Sequence, residues 1–311
     1  MSRQSGLFTA EQGYAAGYSV DEIQWLRRKR AIRSVRRGVY AESTAYAALE
    51  PIDRHRVDTQ ATLLRLDAPA TLSHETAAVW MDLPLLQPDL RHVHVTRPEA
   101  RVSRVEAGVH HHPGSLPERD VATIGNVAVT APARTAVDIA RHADFSRGLA
   151  AADSALRAGV ARQELEAVME HCASWPGARG AGRAVSYADA RAANPGESWS
   201  RAVLIEGGVP PTSLQVEVRD GSGLVGFSDF GWEECMTLGE FDGRWKYAVP
   251  PGFDPAEAAR VLWAEKRRED RLRAADYTVV RWAWEDLFQP DRLVARVRAA
   301  LEQPRAARRT A

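Results

Sequence analysis

Apolar residues recur with helical spacing near the start of the chain and then give way to a strand-like pattern. Thr9 and Ser19 are N-cap residue types, and each stands immediately before a short segment of helical period. Residues 32–41 carry the β-branched and aromatic side chains of two strands, with Gly38 at the turn between them. Helix, turn, helix and hairpin in this order predict a winged helix-turn-helix over residues 1–41.

The remainder of the chain alternates between the two periods. The pattern predicts a helix from Ser73, a strand in RHVHVTRP, a strand and helix around Pro132, and further helices up to residue 190. After RAANPGESW it predicts a helix, three strands, a helix, a strand and a last helix. We therefore expect a mixed α/β (α+β) multidomain fold. Its expected parts are a winged helix-turn-helix (1–41), an α/β connector (42–190), a mixed sheet with flanking helices (191–303) and a basic tail (304–311).

Composition narrows the class of protein. The 311 residues include 41 Lys plus Arg and 41 Asp plus Glu, so the chain is not uniformly basic. Cys172 and Cys235 lie far apart with no partner at metal-ligand spacing, which argues against a zinc finger or a disulfide scaffold. No segment has the roughly 18 consecutive apolar residues of a membrane span, and no signal peptide is evident. We expect a cytoplasmic protein with no membrane partner; no heptad pattern indicates its oligomeric state.

Positive charge is concentrated at the end of the second helix and on the hairpin. Arginine is suited to both kinds of contact that a winged helix makes with DNA, the bidentate hydrogen bonds with guanine and the contact with phosphate. Two alternatives remain, a solvated charged face and a surface for an acidic protein partner. We favour double-stranded DNA as the partner because the hairpin follows the basic helix directly. The predicted DNA-binding residues are Arg27, Arg28, Arg30, Arg33, Arg36 and Arg37.

The segment TAEQGYAAGYSVDEIQWLRRKRAIRSVRRGVYA resembles the N-terminal winged helix of AbiEi-family antitoxins, the antitoxin half of type IV toxin–antitoxin systems. The segments SHETAAVWMDLPL and VTAPARTAVDIAR resemble parts that follow this domain in actinobacterial members, so the resemblance covers residues 1–145. It implies operator binding and autoregulation, and in some members neutralisation of a nucleotidyltransferase toxin.

Acidic residues stand at the ends of two predicted strands near the carboxyl end of the chain. Asp229 ends the apolar run LVGFSDF, and Glu240 ends CMTLGEF. Two carboxylates at adjacent strand ends can hold Mg²⁺ together with water and a substrate phosphate. Glu197 on the preceding helix could complete this site, and Lys246 could stabilise developing charge. Solvated turn residues are the alternative, since Asp242 and Gly243 form a good turn pair.

The segments GESWSR, FSDFGW, LGEFDGRWKY and AEKRREDRLRAADYTVVRWAWEDL resemble the Vsr-like branch of the PD-(D/E)XK restriction-endonuclease fold. The resemblance implies Mg²⁺ or Mn²⁺ at Asp229 and Glu240, with Glu197 in support. The sequence departs from the family where a lysine is expected, because Asp242 stands there. Lys246 would have to reach back, and Lys266 is a second candidate.

This departure leaves two functions open. The first is a DNA-binding, antitoxin-like regulator that carries a silent endonuclease-like domain. The second is a metal-dependent endonuclease that the winged helix delivers to DNA. The charge-alternating helix that contains Arg267 and Arg271 has two corresponding interpretations, an exposed helix with ion pairs between its own turns or a DNA-facing helix.

Histidines form a weaker signal. Three of them, His110–His112, precede Pro113, and we expect a solvent-exposed loop there because adjacent residues do not share a face. His74 follows the predicted cap Ser73 and precedes Glu75, but neighbours on one helical turn cannot form a catalytic triad. Neither feature enters the predicted site.

Overall fold

In the described part of the chain, three β-sheets with associated helices form the fold, in agreement with the mixed α/β multidomain class expected from the sequence. The structure, a computed structural model, describes residues 6–66, 70–243 and 255–303. No helix within these ranges is both long enough and apolar enough to cross a membrane.

The amino-terminal part places two short helices before a hairpin. Thr9 and Ser19 both form complete capping boxes, as their residue types predict. The sequence did not reveal the first strand, which pairs antiparallel with the second strand of the hairpin. The elements are β1 (Leu7–Thr9), α1 (Ala10–Ala15), α2 (Val20–Arg28), β2 (Ile32–Arg36), β3 (Val39–Glu42), α3 (Ser43–Ala47) and α4 (Pro51–Leu63).

The hydrophobic core below this hairpin continues beyond residue 41. Leu7 and Val39 pack in one cluster with Tyr46 of α3 and with Val57 and Ala61 of α4. Helix α4 therefore completes the core that β1 and β3 begin.

The middle part is a six-stranded sheet covered by helices. The strand order is β6-β7-β5-β4-β9-β8, and the pairs β5–β7 and β4–β9 are parallel. Its elements are β4 (Thr71–Leu72), α5 (His74–Trp80), β5 (Val93–Arg97), β6 (Arg104–Glu106), β7 (Val109–Pro113), β8 (Val121–Ile124), β9 (Val127–Thr130), α6 (Pro132–His142), α7 (Phe145–Arg157), α8 (Arg162–His171) and α9 (Ala178–Tyr187).

The expectation that His110–His112 lie in a solvent-exposed loop is wrong. The three residues belong to β7, and both His111 and His112 are buried. Consecutive strand residues point to opposite faces of the sheet, so a run of identical residues does not exclude burial. No local pattern indicates that β7 lies between β6 and β5.

A buried arginine holds the start of α6 against the loops of the same sheet. Arg134 donates from Nη1 to the Ser115 carbonyl (2.8 Å) and to Asp120 Oδ2 (2.9 Å), and from Nε to Asp138 Oδ2 (2.9 Å). Its guanidinium also lies 4.8 Å from the centre of the Trp175 ring. All three charged side chains are 1% exposed, so this network is part of the core.

Among its described residues, the carboxyl-terminal part forms a four-stranded mixed sheet between helices. Strands β10, β11 and β12 form an antiparallel meander, and β13 returns parallel to β12 after a long helix. The elements are α10 (Pro195–Glu206), β10 (Ser213–Asp220), β11 (Gly223–Trp232), β12 (Thr237–Asp242), α11 (Pro255–Ala274), β13 (Thr278–Ala283), α12 (Trp284–Leu287) and α13 (Pro290–Leu301).

Both faces of this sheet are covered. Phe230 and Trp282 stack with a ring separation of 5.3 Å in the core that faces α10 and α13. On the other face, Val218 and Leu238 pack against Leu272 of α11. The buried Arg201 of α10 donates to both oxygens of Asp153 on α7, at 2.6 and 2.7 Å, and joins this part to the middle part.

Candidate functional site

The end of α2 and the start of β2 form an open, arginine-lined cleft of about 600 Å³. Arg27, Arg28 and Arg30 come from the last turn of α2 and the residues after it, and Arg33 comes from β2. Arg30 has a left-handed backbone (φ 57°), which ends the helix and turns the chain into the strand. All four arginines are exposed, so the cleft presents their charge to solvent.

Aromatic rings support two of these arginines. The Arg27 guanidinium lies 5.9 Å from the centre of the Tyr40 ring, and that of Arg33 lies 4.3 Å from the centre of the Tyr46 ring. Tyr46 in turn donates to Asp58 (2.6 Å), and burial raises the pKa of its hydroxyl to about 12. These rings limit the positions that the two guanidinium groups can take.

Of the two arginines next to the hairpin turn, Arg37 is exposed while Arg36 is half-buried. The Arg36 Nε donates to Thr62 Oγ1 (2.9 Å) on α4, and Nη2 lies 3.5 Å from the Gly108 carbonyl in the middle part. Arg36 therefore joins the hairpin to its neighbours, and its DNA contact stays a prediction.

Two of the three predicted carboxylates are brought together by an amide. Gln215 Nε2 donates to Glu197 Oε2 (3.2 Å) and to Asp229 Oδ1 (3.4 Å). Glu197 is buried near the start of α10, where it also accepts from the Ala193 N–H (2.8 Å). Burial raises the pKa of Glu197 to about 6, and the Asp229 carboxylate adds to this shift.

Asp229 also has a structural partner. Its Oδ2 accepts the Phe241 backbone N–H at 2.8 Å and so fastens β11 to β12. Burial raises the pKa of Asp229, and the nearby Glu240 carboxylate contributes in the same direction. Raised pKa values in a cluster of carboxylates are common at functional sites and also occur in structural networks.

Glu240, the third predicted carboxylate, is held between two arginines. Its Oε1 accepts from Arg268 Nη2 (2.6 Å) and from Ser228 Oγ (3.0 Å), and its Oε2 lies 2.9 Å from Arg281 Nε. Arg268 comes from α11 and Arg281 from β13, so the ion pairs link three elements. Two positive charges thus occupy the surroundings of the carboxylate that was expected to hold a metal ion.

The predicted lysines do not contribute to this geometry in the described part of the chain. Lys246 lies outside the described residues. Lys266 is exposed on α11, with its Nζ 5.9 Å from the Trp263 ring centre. Arg271, on the same helix, binds both oxygens of Asp220 at 2.7 Å. Part of the charge on α11 therefore faces the sheet.

Sequence reasoning missed the groups that organise the carboxylates. Gln215 lies in a strand with a left-handed backbone (φ 50°), and no local pattern distinguishes it. Arg268 and Arg281 were hidden in charge-rich segments whose partners are distant in sequence. A group of three metal-ligating side chains within 4.8 Å of one another does occur among the described residues, but in the middle sheet: His74, His94 and His112.

Comparison with known proteins places the chain in a family. Residues 71–184 match the family model described as the AbiEi antitoxin C-terminal domain. The uncharacterized proteins Rv2248 and MT2308, from the H37Rv and CDC 1551 strains of Mycobacterium tuberculosis, are each 31% identical over 218 residues. That alignment covers 69% of this chain and 76% of theirs. The chain belongs to the family of these mycobacterial proteins and contains an AbiEi antitoxin C-terminal domain.

A solved structure, the RV2827C protein from Mycobacterium tuberculosis, is also similar, at 17% identity and a TM-score of 0.39. The match covers 69% of this chain and 83% of that one.

The AbiEi match confirms one part of the family resemblance. SHETAAVWMDLPL and VTAPARTAVDIAR both fall inside residues 71–184, whereas the basic helix and hairpin precede that range. Within the AbiEi domain, the second segment supplies Arg134 and Asp138 of the buried network. The carboxylates of the last sheet follow the matched range.

Proposed function

We propose that this AbiEi-domain protein is a DNA-binding, antitoxin-like transcriptional regulator of a type IV toxin–antitoxin system. The observation that carries the proposal is the arginine cleft formed by α2 and β2. Four exposed arginines line it, and a hairpin with Arg37 stands beside it, which is the arrangement by which a winged helix contacts a groove and the adjacent backbone. The family also makes a nucleotidyltransferase toxin the expected protein partner.

The last sheet supports a silent endonuclease-like domain as part of this proposal. Its element order, one helix, three antiparallel strands, a crossover helix and a parallel strand, is compatible with the PD-(D/E)XK fold that the sequence resembles. Glu240 forms ion pairs with two arginines, and Asp229 accepts a hydrogen bond from a backbone N–H, so both carboxylates have stabilising partners. These partners favour a binding role over phosphodiester cleavage.

One observation favours the alternative, a Mg²⁺- or Mn²⁺-dependent endonuclease. Gln215 gathers Glu197 and Asp229, and the pKa of each is raised, as is common where carboxylates serve catalysis. In this alternative Arg268 would release Glu240 when metal and DNA bind, and Lys246 would be the charge-stabilising amine.

The DNA-binding proposal is tested by measuring affinity for the promoter region of the protein's own gene at several salt concentrations. Each phosphate contact adds about 0.9 to the slope of log K against log salt. We expect Arg27→Ala with Arg28→Ala to reduce this slope by about 2. The charge-matched control is Arg179→Ala with Arg292→Ala, two exposed arginines on α9 and α13. Equal slopes for the two double variants would refute the assignment of the cleft.

Cleavage is tested separately, with supercoiled and linear DNA in Mg²⁺ and in Mn²⁺. We expect binding without cleavage. Metal-dependent cleavage that is lost in Asp229→Ala and in Glu240→Ala would establish the endonuclease instead.

A further inference from the structure

Five histidines that are scattered in the sequence gather at the helix-covered side of the middle sheet. The parallel register of β5 and β7 pairs His94 with His110 and Thr96 with His112. The Ser73 N–H donates to the His94 carbonyl (3.0 Å), which places His74 beside these strands. His142, at the end of α6, has its ring 4.8 Å from that of His74.

Three of these rings offer nitrogen atoms to a common point. One nitrogen from each of His74, His94 and His112 lies within 4.8 Å of the others, and His94 Nδ1 is 2.9 Å from His112 Nε2. Zinc–nitrogen bonds are about 2.0–2.1 Å long, so ligands around one ion stand roughly 3.4 Å apart. The observed separations, 2.9 Å for one pair and up to 4.8 Å for the set, lie on either side of that value.

The cluster is buried, and it leaves polar atoms unmatched. The exposed fractions are 2% for His74, 9% for His94 and 5% for His112. Nε2 of His74 and Nε2 of His94 are buried with no hydrogen-bond partner among the described residues. Buried polar atoms are normally paired, and a bound ion is one recognised reason for an exception.

The protonation state suits a ligand role. Burial lowers the pKa of His94 to about 3 and that of His112 to about 2, and the neighbouring histidines add to both shifts. Burial also lowers the pKa of His74 well below its ordinary value. The rings are therefore neutral near pH 7, which is the form that binds a metal ion.

The surroundings of the cluster hold its rings in place. The Ser73 hydroxyl lies 3.0 Å from His74 Nδ1, so Nε2 is the nitrogen of that ring that has no hydrogen-bond partner among the described residues. His74, the first residue of α5, has a left-handed backbone (φ 52°). This conformation is unfavourable for residues other than glycine and is often retained at functional positions. His142 Nδ1 lies 2.9 Å from the Asp138 carbonyl, so its Nε2 carries the free lone pair.

We propose that His74, His94 and His112 form a transition-metal site of the zinc class within the AbiEi domain. The donor set consists of imidazole nitrogens alone, which favours Zn²⁺, and its analogue Co²⁺, over Mg²⁺ or Ca²⁺. His142 is exposed, its ring lies 4.8 Å from that of His74, and it can supply the fourth ligand in place of water. This site is independent of the carboxylates in the last sheet and of the DNA-binding proposal.

The test uses the full chain without an affinity tag, stripped with a chelator and titrated with Zn²⁺ and with Co²⁺. We expect one ion per chain, a visible absorption of four-coordinate Co²⁺, and a rise in the unfolding temperature with Zn²⁺. His94→Gln and His112→Gln should each weaken binding by more than the roughly 10–100-fold that loss of a supporting residue causes. The matched control is His171→Gln on α8, which lies outside the cluster and should bind as the wild type does.

X-ray absorption at the zinc edge of the wild-type protein keeps the test valid if a variant does not fold. Three or four imidazole nitrogens at about 2.0 Å would support the site. Four such nitrogens in the wild type and three in His142→Gln would assign His142 as the fourth ligand. Binding weaker than about 100 μM, or fewer than three imidazoles, would overturn the proposal. So would equal binding by the control and the cluster variants. Neutral rings joined by hydrogen bonds would then account for the cluster.

Discussion

Replacement of Arg134 by alanine should destabilise the middle part of the chain more than replacement of any exposed arginine does. The change removes three hydrogen bonds and leaves Asp120 and Asp138 buried without their main positive partner. Loss of one member of a buried pair costs about 3–5 kcal/mol, because the remaining charge is not solvated. We expect Arg134→Ala to lower the free energy of unfolding by about 4 kcal/mol. This is a large fraction of the roughly 5–15 kcal/mol that holds a domain folded.

The control for this change is Arg119→Ala. Arg119 also approaches Asp120, at 3.8 Å from its Oδ1, but its side chain is 65% exposed. An exposed pair contributes roughly 0–1 kcal/mol. The same carboxylate therefore has a buried and an exposed arginine partner, and the two variants compare the loss of the buried network with the loss of an exposed pair.

Urea unfolding at pH 7, followed by circular dichroism, measures the difference, and calorimetry measures the unfolding temperature. At about 2–4 °C per kcal/mol, Arg134→Ala should unfold about 8–16 °C lower than the wild type. Burial raises the pKa of Asp138 even with Arg134 present, and without the arginine the carboxylate should protonate more readily. The loss of unfolding free energy caused by Arg134→Ala should therefore become smaller as the pH falls from 7 to 4. A difference below about 1 kcal/mol at pH 7, or one independent of pH, would contradict this account.

Two further predictions concern single positions. Burial raises the pKa of Glu197 from 4.5 to about 6, so ionisation of this carboxyl disfavours the folded state. The stability of the wild type relative to Glu197→Gln should fall by about 2 kcal/mol as the pH rises from about 4 to 7, whereas Glu206→Gln, an exposed control on the same helix, should show no such trend in urea unfolding. Gly177→Ala should lower the unfolding temperature strongly, because φ is +80° and the new Cβ would lie 2.0 Å from the Arg141 carbonyl oxygen. Gly17→Ala has a similar φ and open space around it, so its effect should be limited to about 1 kcal/mol; equal effects would refute the role of the clash.

Local patterns were sufficient to predict most helices and strands. Thr9 and Ser19 cap the helices that their residue types indicate, and Pro132 begins α6. The last part follows the predicted order of elements because each helix or strand has its own period and its own turn residues. Strand β1 was missed because three residues carry too little periodic signal.

The candidate sites were harder to predict because they depend on pairing between distant strands. His94 and His112 meet only through the parallel register of β5 and β7, and no local signal at His112 shows which strand will lie beside it. Glu240 was correctly placed on a strand, but its arginine partners come from α11 and β13. The winged helix, its DNA contacts and the endonuclease-like fold remain predictions.

The ion pair between Asp153 and Arg201 has a consequence for how this protein can be divided. Asp153 is fully buried inside the range matched to the AbiEi domain, and Arg201 lies 17 residues beyond the end of that range at residue 184. A fragment that stops at residue 184 would keep the carboxylate and lose its counter-ion, together with the α10 surface that covers α7. The boundary by which the family is recognised is therefore not a boundary at which this chain can be cut, and expression of the AbiEi domain should include α10.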